Sequence, residues 1–422
     1  MIYQEDVIKV AHHIAGLSLE EADLLRRAMS GKMRSHNAMN KLKNNFFVSC
    51  EARGLTKNIS QELWRQIESF AGYAFCKAHS ASFAVLSYQV AYLKVHYPAE
   101  FMAAVLSNGG GYYAAAVYIW EAKRLGIKIL LPCINRSEAN YKGKERLIRI
   151  GLNAIKNFSS ASIKIIISER NQNGNYKSLL DFLVRTKIGI EETKSLIKCG
   201  AMNCFKQTRP TLMRLLDIYI HHRKILDNSY NNLFMSDSFE LEKDVVTNID
   251  YSIEEKCQIE FETFDFMVTR HPLEFFFPYL NNKGNVTAVD MHRHNGKKIK
   301  MIGWYISSKR IRTKKGEIMK FLSVEDLTGT YEAIIFPKVY SEIAEKTLAM
   351  GPYVFEGRVD AAGGNNLIVE KLELITVQAL KSSLQKDSVE NQYFGDEEKI
   401  YENDFALAEM LNQGELISAY LA

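Results

Sequence analysis

Two hydrophobic periods divide this chain, and no single core satisfies both. From residue 297 to 376 apolar and polar residues alternate with a period of two, in KIKMIGWYI, IMKFLSVED, YEAIIFP, PYVFEGRVD and NLIVEKLEL. Before about residue 205 the apolar residues recur every three and four positions, as they do along helices that bury one face. At 422 residues the chain is also too long for one ordinary domain. The expected fold class is α+β and multi-domain, with all-α modules followed by a β-barrel.

Ser18-Leu-Glu-Glu21 has the spacing of a capping box, so a helix is expected through Leu24, Leu25 and Ala28, with Arg26 and Arg27 near its end. Leu63, Trp64, Ile67 and Phe70 predict a second helix that stops near Gly72. After the loop GYAFCKAHS, an apolar helix is expected from about Ala81 to His96. Pro98 then opens another helix, because its missing N–H is not needed in a first turn. Tyr112 to Leu125 completes this region, and the aromatic side chains Phe83, Tyr88, Tyr92 and Trp120 are read as core. Ala161–Glu169, Ser178–Arg185 and Glu191–Lys198 read as short paired helices of the helix-hairpin-helix kind. Such units offer helix N-terminal amides to phosphates. Asn157, Ser159 and Ala161 stand where glycines would let a phosphate come close, so the first hairpin is expected to be structural.

The five alternating segments, with a helix from Tyr340 to Met350 between the third and fourth, match an OB-fold barrel. OB barrels hold single strands with a basic groove and aromatic platforms. Trp304, Tyr305 and Phe321 are candidate platforms, and Lys309, Arg310, Arg312, Lys314 and Lys315 the candidate groove cations. Charge falls in blocks that support this: 17 Lys and Arg against 6 Asp and Glu over 141–224, then 3 against 12 over 225–280, 11 against 2 over 281–320, and 3 against 9 over 381–422. Two dense basic blocks point to a polyanionic partner before a small molecule.

Other classes fit poorly. No apolar run reaches the roughly 18 to 20 uncharged residues of a membrane helix. The start MIYQEDVIKV is acidic where a secretory signal is basic, so a cytoplasmic protein with no membrane partner is expected. The six cysteines form no CxxC or CxxH pair and read as reduced thiols, with Cys199 and Cys204 the closest two.

At this point several long blocks resemble the C-terminal part of the alpha (catalytic) subunit of bacterial DNA polymerase III. IYQEDVIKVAHHIAGLSLEEADLLRRAM and FAGYAFCKAHSASFAVLSYQVAYLKVHYPAEFMAAVL look like that family's fingers, in order and spacing. LNAIKNFSSASIKIIISERNQNGNYKSLLDF is similar to its tandem helix-hairpin-helix module. FMVTRHPLEFF resembles the stretch before its OB-fold, and RIRTKKGEIMKFLSVEDLTGTYEAIIFP the OB strands themselves. The resemblance implies fingers at 1–135, a helix-hairpin-helix module at 136–224, an acidic linker at 225–290, an OB-fold at 291–380 and an acidic tail at 381–422.

The resemblance also implies a function: binding primer-template DNA and an incoming dNTP for template-directed DNA synthesis, with a sliding clamp and other holoenzyme subunits as partners. Arg26, Arg27, Lys32, Lys77 and His79 match fingers positions that meet the nucleotide. Lys156 and Lys164 fall in the hairpin module as further DNA contacts. Leu233 and Phe234 match the end of the internal clamp-binding peptide, although Tyr230 stands where the family has Gln. The family's reaction uses Mg²⁺ held by palm carboxylates, and no Asp-x-Asp triplet occurs here. The expectation is therefore a portion of a longer polypeptide, with no catalytic residue or cofactor of its own and the palm absent. The alternatives are an error-prone paralogue of the same subunit and a non-catalytic single-stranded-DNA adaptor.

Overall fold

The computed structural model describes residues 3–29, 36–69, 76–221, 248–276, 286–361 and 364–375. They fall into two compact units, residues 1–96 and 97–422. Among the described residues no helix is long and apolar enough to cross a membrane.

In the first unit α1 (Gln4–Lys9) runs into a π-helical turn, Val10–Ile14, before α2 (Leu19–Arg27), α3 (His36–Ala52), α4 (Lys57–Ser69) and α5 (Lys77–His96). The capping box forms as its spacing requires: Glu21 N–H donates to Ser18 Oγ at 3.2 Å and Ser18 N–H to Glu21 Oε2 at 3.0 Å. α4 is amphipathic, and its Trp64 and Ile67 pack with Phe46 and Cys50 of α3 and Leu25 of α2. Phe46 and Trp64 rings meet at 5.3 Å.

α5 departs from the sequence expectation. Its apolar residues are spread around the whole helix, so no polar face exists to give the helix one inner side. Phe83, Tyr88 and Tyr92 are exposed, Tyr88 by 80%, which corrects their reading as core. Trp120, in the second unit, is buried as expected.

The second unit opens with α6 (Pro98–Ser107), Pro98 in its first turn, and α7 (Ala115–Arg124). α7 starts three residues later than expected, after the left-handed Gly109 and Gly110. A small sheet follows, β1 (Lys128–Leu130), β2 (Lys142–Lys144) and β3 (Leu147–Arg149), with β3 central, parallel to β1 and antiparallel to β2. Gly143 in β2 lies so close to α6 that a Cβ there would meet the Ala99 carbonyl oxygen at 2.1 Å. Only glycine lets these two backbones touch.

Four helices complete the helical body: α8 (Ser160–Asn173), α9 (Leu179–Thr186), α10 (Ile190–Lys198) and α11 (Arg209–His221). Their core gathers Ile163, Ile166, Phe182, Leu196, Leu212 and Leu215 against the small sheet. α12 (Ile253–Phe264) follows, started by a second capping box at Ser252 and Glu255.

The strands close into a barrel. β4 (Lys298–Arg312) is long enough to pair with β7 (Tyr353–Asp360) through its first half and with β5 (Ile318–Glu325) through its second, with a bulge between Tyr305 and Ser307 where it turns. β6 (Thr330–Ile335) joins β5, and β8 (Asn366–Leu374) links β6 in parallel to β7 antiparallel, giving the closed order β4-β5-β6-β8-β7. This is the five-stranded barrel of an OB-fold, so the mixed α+β class holds. The inserted helix is shorter than expected: α13 spans Pro337–Ile343, and a separate 3-10 turn covers Glu345–Leu348. Pro337 fixes its early start.

A buried polar cluster ties the barrel to the helical body of the same unit. Glu325 of β5 accepts from Arg124 Nη1 of α7 at 2.8 Å and lies 3.4 Å from His271 Nε2. His271 Nδ1 accepts from the Leu273 N–H at 3.0 Å, so Nε2 carries the proton that faces Glu325. The Trp120 ring stands edge-on to His271 at 4.6 Å.

Candidate nucleic-acid interface

In the first unit α1 touches two of the candidate nucleotide contacts, Arg26 through Gln4 and the Lys77 backbone through Glu5. Arg26 Nε donates to Asp23 at 2.8 Å and its Nη1 to Gln4 Oε1 at 3.1 Å, while Arg27 shares the same Asp23. The neighbouring Glu5 carboxylate accepts the backbone N–H of Lys77 at 2.9 and 3.1 Å, at the first turn of α5. That N–H, outweighing burial, holds Glu5 below the usual carboxylate range, with the Arg26 charge adding to it. Asp23 is lowered chiefly by the hydrogen bond from Arg26.

The first unit thus places Arg26, Arg27 and Lys77 about two carboxylates, and the helix N-terminus that would favour a phosphate is capped by Glu5. His79 is exposed and packs its ring on Phe83 at 4.5 Å. Gln4, Glu5 and Asp23 were not singled out in the sequence. Their signal was weak, since acidic residues early in a helix are common on dipole grounds alone. Lys32 lies outside the described residues.

The hairpin module uses one turn twice. Asn157 and Lys187 both take left-handed backbone, φ 56° and 52°, and two residues later Ser159 and Gly189 cap α8 and α10 with nearly the same extended geometry. Asparagine tolerates this conformation well and lysine less so, which is why no glycine pattern marked either turn. The amides at the start of α8 do not face outward unoccupied. Glu192, in the first turn of α10, accepts from Ser159 N–H at 2.9 Å and Ser162 Oγ at 2.6 Å. Burial raises the Glu192 pKa, but these bonds outweigh it and leave the carboxylate below its usual range. One carboxylate therefore sits at both helix N-termini, where a phosphate would otherwise go.

Of the two hairpin lysines, Lys156 is ion-paired with Asp265 and its N–H donates to Thr263 O at 2.9 Å. Lys164 is exposed on α8. Leu233 and Phe234 lie outside the described residues.

On the barrel the β4–β5 hairpin carries five exposed cations. Alternation places Lys320 and Leu322 on the inner face and Phe321 on the outer one, with Lys309 directly across from it on β4 and Ile334 on β6. Phe321 is half-exposed, and Lys309, Arg310, Arg312, Lys314 and Lys315 are all exposed. Among the described residues none of these five cations is in an ion pair. The turn is closed by Thr313 N–H to Glu317 O at 2.8 Å, with Gly316 at φ 84°. Trp304 is not a platform: strand alternation puts it on the face of Ile302, where both are buried in one cluster with Phe276. Tyr305 is half-buried.

Among the described residues no three of His, Cys, Asp and Glu gather in a cluster that could hold a metal ion.

Two segments of the chain match known families. Residues 1–54 match the family described as bacterial DNA polymerase III alpha subunit finger domain, and residues 126–212 match the helix-hairpin-helix motif. The chain is 30% identical over 385 residues to DNA polymerase III subunit alpha of Bacillus subtilis, covering 90% of this chain and 34% of that one. The same protein of Borreliella burgdorferi is 32% identical over 394 residues, 88% of this chain and 34% of the relative. That of Campylobacter jejuni is 33% identical over 388 residues, 86% and 32%. The chain is thus homologous over most of its length to bacterial DNA polymerase III alpha subunits, with a finger segment, a helix-hairpin-helix segment and an OB-fold-like barrel, and spans about a third of the length of these relatives.

Proposed function

We propose that the chain grips primed DNA and the incoming dNTP for template-directed DNA synthesis in the cytoplasm, within the nucleotidyltransferase lineage of its relatives. In this reading Arg26, Arg27, Lys77 and His79 receive the nucleotide, phosphate oxygens competing with Glu5 and Asp23 for the same donors. The hairpin module holds the duplex by charge, through Lys164 and its neighbours, since Glu192 fills the amide site. The barrel lies along the single-stranded template. Catalytic carboxylates and their Mg²⁺ come from a palm in the same polypeptide, and the sliding clamp and other holoenzyme subunits are the protein partners.

One observation carries this reading: Phe321 on the outer face of β5, opposite Lys309, beside a hairpin whose cations lack carboxylate partners among the described residues. An aromatic face beside unneutralised cations suits an unpaired strand, whose bases are free to stack.

The test is fluorescence anisotropy of the chain with a primed template bearing a 5′ single-stranded overhang, against blunt duplex, across a salt series. The overhang is expected to bind more tightly, with log K falling by roughly 0.7 to 0.9 per phosphate neutralised as log salt rises. Equal binding of both, or none at low salt, overturns the assignment.

A further inference from the structure

The fold pairs two cysteines that the sequence keeps about 70 residues apart. Cys133 follows β1 and is 9% exposed, while Cys204 sits on the short 3-10 turn Asn203–Phe205 and is exposed. In sequence Cys199 is the nearest neighbour of Cys204, but Cys199 is fully buried and its thiol is bonded to the Leu196 carbonyl.

The segments carrying Cys133 and Cys204 are fastened together by their backbones. Ile134 N–H donates to Ala201 O at 3.0 Å, and Cys133 N–H donates to Ser137 Oγ at 2.9 Å. The Asn135 amide clamps both sides: it exchanges two hydrogen bonds with the Tyr176 backbone, and its Nδ2 reaches Cys204 Sγ at 3.6 Å. Asn135 lies two residues from Cys133, so its contact with Cys204 Sγ brings the two thiols to one site, where each acts on the other's ionisation.

Their surroundings make them unequal. The hydrogen bond from Cys204 outweighs burial and holds the Cys133 thiol below its usual range, helped by the Asn135 N–H and the charges of Arg149 and Arg136. Cys204, as the donor, is pushed up. Burial pushes Cys50, Cys199 and Cys257 up as well. A thiolate beside a thiol, with one of the two at the surface, is the arrangement that oxidants address.

We propose that Cys133 and Cys204 are a redox-active dithiol, oxidised by hydrogen peroxide to an intramolecular disulfide across the hairpin module. The Cys133 thiolate attacks one peroxide oxygen, the O–O bond breaks, and Cys133 becomes a sulfenic acid. The departing hydroxide takes up the proton released when Cys133 ionised, giving one water. Cys204 sulfur then attacks the sulfenic sulfur, the S–S bond forms, and the hydroxyl leaves with the Cys204 proton as a second water. Two thiols are oxidised by two electrons, and one peroxide is reduced to two waters. Because hydrogen bonds already hold the segments together, the cross-link forms on the native backbone and ties the β1 loop to the end of the second hairpin.

The experiment treats the reduced full chain with equimolar hydrogen peroxide, alkylates it under denaturing conditions, and maps peptides by mass spectrometry. The expected result is a Cys133–Cys204 linked peptide, a protein lighter by two hydrogens, and reversal by dithiothreitol, with Cys50, Cys199 and Cys257 alkylated. In Cys204→Ser, Cys133 should stop at the sulfenic acid and be captured by dimedone. A Cys133–Cys204 peptide that never appears overturns the proposal, as does independent oxidation of the two thiols to sulfinic acids. Unchanged far-ultraviolet circular dichroism of the variant separates a lost cross-link from lost folding.

Discussion

Lys320 shows how far one side chain can depart from what its type suggests. Strand alternation turns it inward beside Leu322, where it is 5% exposed and its Nζ donates to Thr347 O at 2.7 Å and Thr347 Oγ1 at 3.1 Å. Burial first, and the charge of Arg310 second, lower its pKa from 10.5 to about 8. The unfolded chain keeps this proton up to the ordinary lysine range and the folded chain releases it near pH 8, so between those values the unfolded state binds more protons. Stability is therefore expected to rise as pH climbs from about 8 toward 10.5, by as much as roughly 3 kcal/mol from this group alone. Urea melts of the wild type and Lys320→Met across that window check it. The methionine variant should lose the rise, and a slope unchanged by the substitution removes Lys320 as its source.

The element that fixes the second unit is the start of the barrel against α7. Glu325 closes β5 with both carboxylate oxygens engaged, one by Arg124 and one by His271, and its side chain is 4% exposed. Removing one partner of a buried pair strands the others without water, at a typical cost of about 3 to 5 kcal/mol. Glu325→Ala is expected to lower the unfolding free energy by that much, while Glu370→Ala, whose partner Lys298 is exposed, should leave it nearly unchanged. Chemical denaturation of both variants measures the contrast, and equal losses would mean that the cluster does not fasten the barrel. None of this cluster was legible in the sequence, because it joins residues 124, 271 and 325, which only tertiary packing brings together. What local chemistry dictates was legible: the capping box at Ser18, Pro98 opening α6, and the alternation of β5 and β7. α5 shows the limit of such reading. Its apolar composition suggested core for Phe83, Tyr88 and Tyr92, but composition does not specify a face, and these side chains are exposed. The hairpin turns escaped notice for a related reason, since Asn157 and Lys187 adopt a backbone that a pattern search assigns to glycine.

Across the whole molecule, the charge blocks overstate the free positive surface. Many cations of the 141–224 block are used by the fold: Arg170 is buried and donates to Ile134 O and Ser137 O, Arg209 to Lys198 O, Arg149 to Leu131 O, and Arg185 pairs with Glu169 and Asp181. The 281–320 block keeps Lys309, Arg310, Arg312, Lys314 and Lys315 exposed on the β4–β5 hairpin instead, although it buries Lys320. A count of Lys and Arg treats the two alike, but counterion release depends only on charges that can reach a phosphate. The barrel hairpin should therefore dominate binding, with Phe321 and Lys315 contributing in separable ways. Phe321→Ala is expected to weaken binding to a single-stranded overhang by the roughly 1 to 3 kcal/mol of one stacked base, leaving the salt slope unchanged. Lys315→Ala should instead reduce the slope of log K against log salt by about 0.7, the contribution of one phosphate on a single strand. Anisotropy titrations of both variants at several salt concentrations separate stacking from charge. If neither variant differs from the wild type on the overhang, the strand lies elsewhere and the barrel's outer face serves another partner.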